Sequence, residues 1–350
     1  MCRLENQDGT TFFIHTMKKH ILTLIFLATS LAFANVELGR GYPSAKITNG
    51  QITAKVAIQT GIDNNYYRGS RFDWSGQIYD LTWNGHSYYG EFFPKFDPYN
   101  HDTVCGPAEE FAQIGYENAK IGGEFVKIGV GVLQKPDNQP YNIRRLYKIL
   151  DKGKWTCKLE KNAVIYTQTI KSRVASYIYM KKIELIEGSS TMLVSHSLKN
   201  IGNNEISTNT YCHNFFMLDN TPSSKPITMK LSFTPTKGDF LPQIKGFAIV
   251  KDASILKDKK LTFTRTIVEP ERVLYRDIPC ENKVELNDFS IENTATGAAV
   301  RLRGDKPMYN LLLWANAKTQ CIEPWILINI QPNKTFAWTN RYDFYEVEKK

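Results

Sequence analysis

The chain has 350 residues, of which 42% are hydrophobic, 23% charged and 12% aromatic, and its formal net charge is +9. That balance belongs to a globular protein and excludes a disordered, collagen-like or low-complexity chain. Six cysteines over this length do not make a disulfide scaffold. The basic residues are scattered; the densest runs, Lys257-Asp258-Lys259-Lys260 and Lys349-Lys350, are short. With no arginine-rich arm and no zinc-finger spacing, nucleic acid is not an expected partner.

The first predicted element is a leader. Met17-Lys18-Lys19-His20 is a basic start, an apolar stretch runs from Ile21 to Phe33, and Ala32-Phe33-Ala34 has the small-x-small form of a cleavage site. This is the pattern of a secretory signal, with Met17 as the true initiator, residues 1–16 as an upstream extension and Asn35 as the mature start. The apolar run falls short of the roughly 20 residues needed to span a bilayer. The expectation is an exported protein, periplasmic or secreted, with no membrane span after signal removal. Five cysteines remain in the mature chain, and no C-x-x-C occurs.

Strand signals dominate the mature chain. Apolar and polar residues alternate over Lys46–Ile58, Val164–Thr169, Ser176–Met180, Ile183–Ile186, Met192–Leu198, Lys260–Thr264 and Ser290–Asn293. Period-2 alternation rich in β-branched and aromatic residues marks half-buried antiparallel strands. Turn residues punctuate them at Asp151-Lys152-Gly153-Lys154, Glu187-Gly188-Ser189, Asn200–Asn204, Thr296-Gly297 and Arg303-Gly304-Asp305. Helical periodicity is scarce; Ala108 to Glu117 is the one stretch expected to hold a turn or two. The prediction is an all-β chain in which residues 35–350 form one large antiparallel sandwich domain.

No phosphate-binding loop, dinucleotide fingerprint, zinc-protease motif or nucleophile elbow is present, and no cofactor or metal ligand set is expected. Four histidines survive signal removal. His86 lies in a hairpin turn and reads as solvated, while His196 shares a strand face with Val194 and Leu198 and reads as a core or inter-sheet group. His101 follows a loop. His213 stands in Asn209-Thr210-Tyr211-Cys212-His213-Asn214-Phe215-Phe216, directly after a strand and among aromatics. Glu323 is the one charge between Cys321 and Ile330. A carboxyl in so apolar a run has its pKa raised unless it is paired, which suits a general base; a strand-end Glu facing solvent is the alternative. The cluster Tyr66-Tyr67-Arg68-Gly69-Ser70-Arg71-Phe72-Asp73-Trp74-Ser75-Gly76 combines aromatic faces with a fork of donors, as a sugar site does.

Taken together, the early Arg-Phe-Asp-Trp-Ser-Gly, the central Asn-x-x-x-His-x-Phe-Phe-x-Leu and the late Glu-Pro-Trp resemble the aldose 1-epimerase (galactose mutarotase-like) family. The resemblance spans most of the mature chain and implies a large antiparallel β-supersandwich. It implies a sugar or oligosaccharide substrate whose anomers interconvert by acid/base ring opening. By that resemblance His213 protonates the ring oxygen, Glu323 takes the anomeric hydroxyl proton, and Arg71 holds the sugar, with Trp74, Glu110 and His101 completing the expected substrate-binding set. The sequence departs from the family in having Cys105 where simple mutarotases carry a histidine, and the family's substrate-binding aspartate maps to either Asp277 or Asp288. Two other functions stay open: a non-catalytic carbohydrate-binding protein on the same fold, and a polysaccharide lyase or a glycosidase, the last of which needs two carboxylates roughly 5–10 Å apart.

Overall fold

The computed structural model describes residues 41–59, 65–236 and 246–350, together with the backbone of four short strands outside them, Arg3–Glu5, Thr11–Phe13, Val36–Gly39 and Asp239–Phe240. The predicted leader and its cleavage site lie outside the described residues. The architecture is a stack of mainly antiparallel sheets: one of twelve strands, one of seven, and two smaller ones of five and three, with two short parallel pairings at their edges. Among the described residues the only helices are two short 3-10 turns, Leu218–Asn220 and Val284–Leu286, and no helix is long and apolar enough to cross a membrane.

Eight strands frame the site: β1 (Ala108–Phe111), β2 (Tyr177–Leu185), β3 (Thr191–Asn200), β4 (Ile206–His213), β5 (Glu271–Pro279), β6 (Asn310–Ala315), β7 (Gln320–Ile330) and β8 (Thr335–Glu346). β2, β3 and β8 are adjacent in the twelve-stranded sheet; β5-β6-β7-β4-β1 are adjacent in the seven-stranded one. Along β2, residues alternate strictly between buried and half-buried, as the period-2 pattern predicts. The separately predicted strands 176–180 and 183–186 are one continuous strand. Lys46–Ile58 is instead a hairpin, Tyr42–Thr48 and Ile52–Ala57, broken by Gly50 at φ +91°.

Aromatic contacts lock the two large sheets together. Phe111 of β1 meets Tyr179 and Trp338 edge-on at centroid distances of 5.4 and 6.1 Å; within the twelve-stranded sheet, His196 stacks on its cross-strand partner Trp338 at 4.5 Å and 4°. Such pairs contribute about 0.5–1.5 kcal/mol each beyond the area they bury.

The helical turn expected over Ala108–Glu117 is not there: Ala108–Phe111 is a strand buried on both faces. Two consecutive glutamates suit a helix, but a strand sends them to opposite sides, where different cations await them. Glu109 points between the sheets to Lys181 Nζ and to His196 Nε2, the latter at 3.0 Å. Lys181 also faces Asp73 Oδ2 at 3.6 Å. Burial opposes ionisation of Glu109, but Lys181 and His196 outweigh it and hold the carboxyl below the ordinary range. His196 is thus an inter-sheet group, as its strand position predicts. His86, expected to be solvated, is buried and bonded to Asp219 at 2.8 Å and Glu346 at 3.1 Å, because the hairpin that carries it is covered by the chain's last strand. None of the five described cysteines forms a disulfide.

Candidate active site

The outer face of the seven-stranded sheet collects the chemistry, and strand register explains why. Tyr211 lies opposite Glu110 on one side and Trp325 on the other; Glu323 lies opposite Leu312, and Cys321 opposite Trp314. Residues two apart on a strand share a face, so Glu110, Tyr211, His213, Cys321, Glu323 and Trp325 all emerge on one side. Cys212 and Glu109 emerge on the other.

β4 ends at His213 because Phe215 takes a left-handed conformation at φ +45°. Asn214, fully buried, then pins the two catalytic-looking strands together. Its Nδ2 donates to the carbonyls of Cys212 and Ile322 at 3.2 and 2.8 Å, and its Oδ1 accepts from Tyr342 at 2.8 Å. Gly106 passes so close that a Cβ there would lie 1.8 Å from the Asn214 carbonyl oxygen, so only glycine fits.

His213 Nε2 lies 3.2 Å from Glu323 Oε1. Its Nδ1 lies 2.8 Å from Cys321 Sγ, which also accepts the Phe215 N–H at 3.2 Å. The imidazole is boxed by aromatics: Phe215 stacked at 3.7 Å, Trp314 edge-on at 5.2 Å and Phe72 at 5.9 Å. His213 is 6% exposed and Glu323 2%. Burial pushes the His213 pKa well below the imidazole range, with help from Arg71, and it pushes Glu323 well above the carboxylate range. Burial thus favours the neutral form of both the ring and the carboxyl. Glu323 Oε1 and Trp325 Nε1, on the same face, have no hydrogen-bond partner among the described residues.

Arg71 reaches this face from the 68–76 loop. Its Nε donates to Glu110 Oε2 at 2.7 Å and its Nη2 to the Tyr211 hydroxyl at 3.1 Å, while the guanidinium lies 4.4 Å over the Phe72 ring. Tyr211 donates in turn to Glu110 Oε2 at 2.6 Å, and Lys127 Nζ to Glu110 Oε1 at 3.4 Å. Burial alone would raise the Glu110 pKa; Arg71 and Lys127 reverse this and keep it ionised.

Four of the sequence-predicted residues, His213, Glu323, Arg71 and Glu110, thus converge. His101 stands one step back, 3.2 Å from Asp102, which faces Arg71 at 3.7 Å. Trp74 does not join them. It is 4% exposed, its Nε1 donates to the Gly69 carbonyl at 2.7 Å, and it lines a separate cavity of about 210 Å³ with Arg68, Tyr99 and Tyr147. Neither candidate aspartate reaches the cluster: Asp277 sits in a bulge of β5 paired to Arg276 at 3.0 Å, and Asp288 is bonded to Arg301 on the large sheet. Tyr211, Cys321, Lys127, Asp102 and Trp314 were not foreseen as site residues. Tyr211 and Cys321 had a usable signal, each lying two residues before a predicted site residue on the same strand.

The His213, Cys321 and Glu323 ligand atoms lie within 4.8 Å of one another, the geometry from which a metal could be held. Cys321 and Glu323, however, approach different ring nitrogens, which favours a hydrogen-bonded line over a shared ion.

No protein-family model matches the chain, and no curated protein matches it in sequence. Solved structures do match in fold. A protein of Escherichia coli K12 described as a candidate aldose 1-epimerase superposes with a TM-score of 0.53 at 14% identity, over 87% of this chain and 99% of that one. A galactose mutarotase-like protein of Clostridium acetobutylicum gives 0.52 at 13% identity, over 89% and 98%. The aldose epimerase homologue of C. elegans gives 0.52 at 10% identity, over 87% and 99%. The chain has the all-β galactose mutarotase-like fold, the supersandwich of the aldose 1-epimerases that its sequence resembles.

Proposed function

We propose that this chain is a sugar epimerase of mutarotase type, opening the hemiacetal ring of an aldose and letting it close on either face. The observation that carries this reading is the approach of His213 Nε2 to Glu323 Oε1 at 3.2 Å, a contact that is not a hydrogen bond and leaves that oxygen without a partner among the described residues. A buried polar atom left without a partner costs about 1–3 kcal/mol, a cost that a ligand hydroxyl removes. The two oxygens of a hemiacetal share one carbon, so two groups this close can address both.

The chemistry follows from the tautomer. The Cys321 thiol is kept protonated by burial and its sulfur already accepts the Phe215 N–H, so its own hydrogen turns to His213 Nδ1. The ring hydrogen is then on Nε2, where it can be given to the sugar ring oxygen while the Cys321 hydrogen passes to Nδ1, so the ring stays neutral and closure reverses the relay. Glu323, once ionised, takes the anomeric hydroxyl proton; a carboxylate with a raised pKa is a strong base. The C1–O5 bond breaks, the C1–C2 bond rotates, and closure returns both protons. Arg71, fixed by Glu110 and Tyr211, has further N–H donors for ring hydroxyls. The test is equilibration of freshly dissolved α-aldoses followed by polarimetry or NMR. Wild type is expected to outpace buffer, and Glu323→Gln and His213→Asn each to lose at least about 100-fold. If no aldose, uronate or deoxysugar equilibrates faster with wild type than with Glu323→Gln, the reading fails.

The low exposure of the pair favours a second reading, a non-catalytic carbohydrate-binding protein. Sugar binding that survives His213→Ala, with turnover by neither form, would select it. We also propose export, on the strength of the 17–34 pattern; mass measurement of the mature N-terminus at Asn35 tests it.

A further inference from the structure

We propose that the sugar carries a carboxylate and that Arg144 and Arg272 bind it, an inference that rests on the epimerase reading above. Both guanidinium groups lie against the Phe247 ring, Arg272 Cζ 4.6 Å from its centroid and Arg144 Cζ 4.8 Å. They come from separate parts of the chain. Arg272 lies on β5, two residues from Leu274, which is opposite Trp314 on the site face; its Cζ is 5.9 Å from the Trp314 ring, and that ring meets His213 edge-on. At the other end Arg144 acts electrostatically on Asp102, as does Arg71. The clasp therefore links the Trp314 wall of the imidazole to the surroundings of Asp102 and Arg71.

A neutral hexose has no use for such a clasp. Among the described residues, four cations, Arg71, Lys127, Arg144 and Arg272, and three carboxylates, Glu110, Asp102 and Glu269, stand around the site. Outside the His213–Glu323 pair, one positive charge is left over. Its owner is identifiable. Glu110 is taken by Arg71 and Lys127, and Glu269, 55% exposed, bonds Arg272 at 2.7 Å. Arg144 is exposed and has no carboxylate within 4.0 Å among the described residues. A single excess charge matches a monoanion, and the planar guanidinium fork fits a carboxylate while still stacking on an aromatic ring, which a lysine does less well. A phosphate dianion would leave the mouth of the site with net negative charge.

The experiment compares D-glucuronate and D-galacturonate with D-glucose, D-galactose and D-glucose 6-phosphate in the equilibration assay. The uronates are expected to show kcat/KM at least tenfold above the neutral sugars. Arg144→Gln, on an exposed segment, is expected to shrink that preference at least tenfold through KM, and Arg272→Lys, which keeps charge and stem, to shrink it as well. Equal or better turnover of neutral sugars overturns the inference and leaves the epimerase reading intact. So does an Arg144→Gln variant with an unaltered preference. A phosphate sugar preferred over the uronates overturns the assignment of a carboxylate. If no sugar equilibrates, calorimetric titration of wild type and Arg144→Gln with D-glucuronate separates the two ideas. Binding that weakens tenfold in the variant upholds the anion site while the epimerase reading falls, and absence of binding removes both.

Discussion

Cys321 Sγ lies 2.8 Å from His213 Nδ1, the ring nitrogen that Glu323 does not touch. The thiol is buried, un-ionised and fed by a backbone N–H, so it holds the ring in one tautomer and one orientation. It never meets the substrate and acts through the histidine. Cys321→Ser, which retains a donor, is expected to keep most of the activity. Cys321→Ala is expected to lower kcat about 10- to 100-fold with little change in KM. Steady-state kinetics of the two variants checks this; equal losses would point to packing alone.

The pH dependence has a definite sign. Glu323 must ionise to act as a base, and burial raises its pKa well above the ordinary carboxylate range. The ascending limb of kcat/KM against pH should therefore lie above that range. Arg71 lowers the Glu323 pKa through space, so Arg71→Met is expected to displace the limb to still higher pH, whatever it does to the rate. A pH–rate profile of both proteins measures it.

The same shift is a statement about stability. A group whose pKa is raised on folding stabilises the fold fully below its unfolded-state pKa, and that contribution is lost as pH rises through the folded value. Glu323 thus weakens the fold at neutral pH relative to acid. Glu323→Gln is expected to melt higher than wild type at pH 8 by about 2 °C or more, with the gap closing toward pH 4. Thermal melts across pH check the direction; a gap that widens in acid would refute it.

The inter-sheet charges behave differently. Lys181 is fully buried between Glu109 and Asp73. Lys181→Met leaves two carboxylates buried with their main counter-charge gone, and the expected loss is about 3–5 kcal/mol. Denaturant titration measures it. Lys182, on the opposite face of β2 and half-buried beside Glu184 at 2.9 Å, should cost less than about 1 kcal/mol when changed to Met.

Gly106 tests the pin that sets the pair's spacing. A methyl group there would overlap the Asn214 carbonyl. Gly106→Ala is therefore expected to lower stability by about 1–3 kcal/mol, and kcat with it, because Asn214 links β4 to the strand carrying Glu323. Melts and kinetics on one preparation check both effects.

Alternation along the chain was enough to determine an all-β protein, five of the twelve strands of the large sheet, and the two side chains, His213 and Glu323, whose setting among apolar residues marks them as unusual. Period-2 patterning is a local property, written into each strand by which face it buries. What lies across from each strand is not local. Only the tertiary structure decided that Glu109 and Glu110 belong to a strand, because the groups that partner them on either face come from residues 71, 127, 181 and 196. It alone turned Trp74 away toward another cavity, gave His86 two carboxylate partners, and brought Cys321, Tyr211 and Trp314 against the histidine. Each of those outcomes depends on register and sheet packing between segments up to 260 positions apart, and no local pattern encodes that.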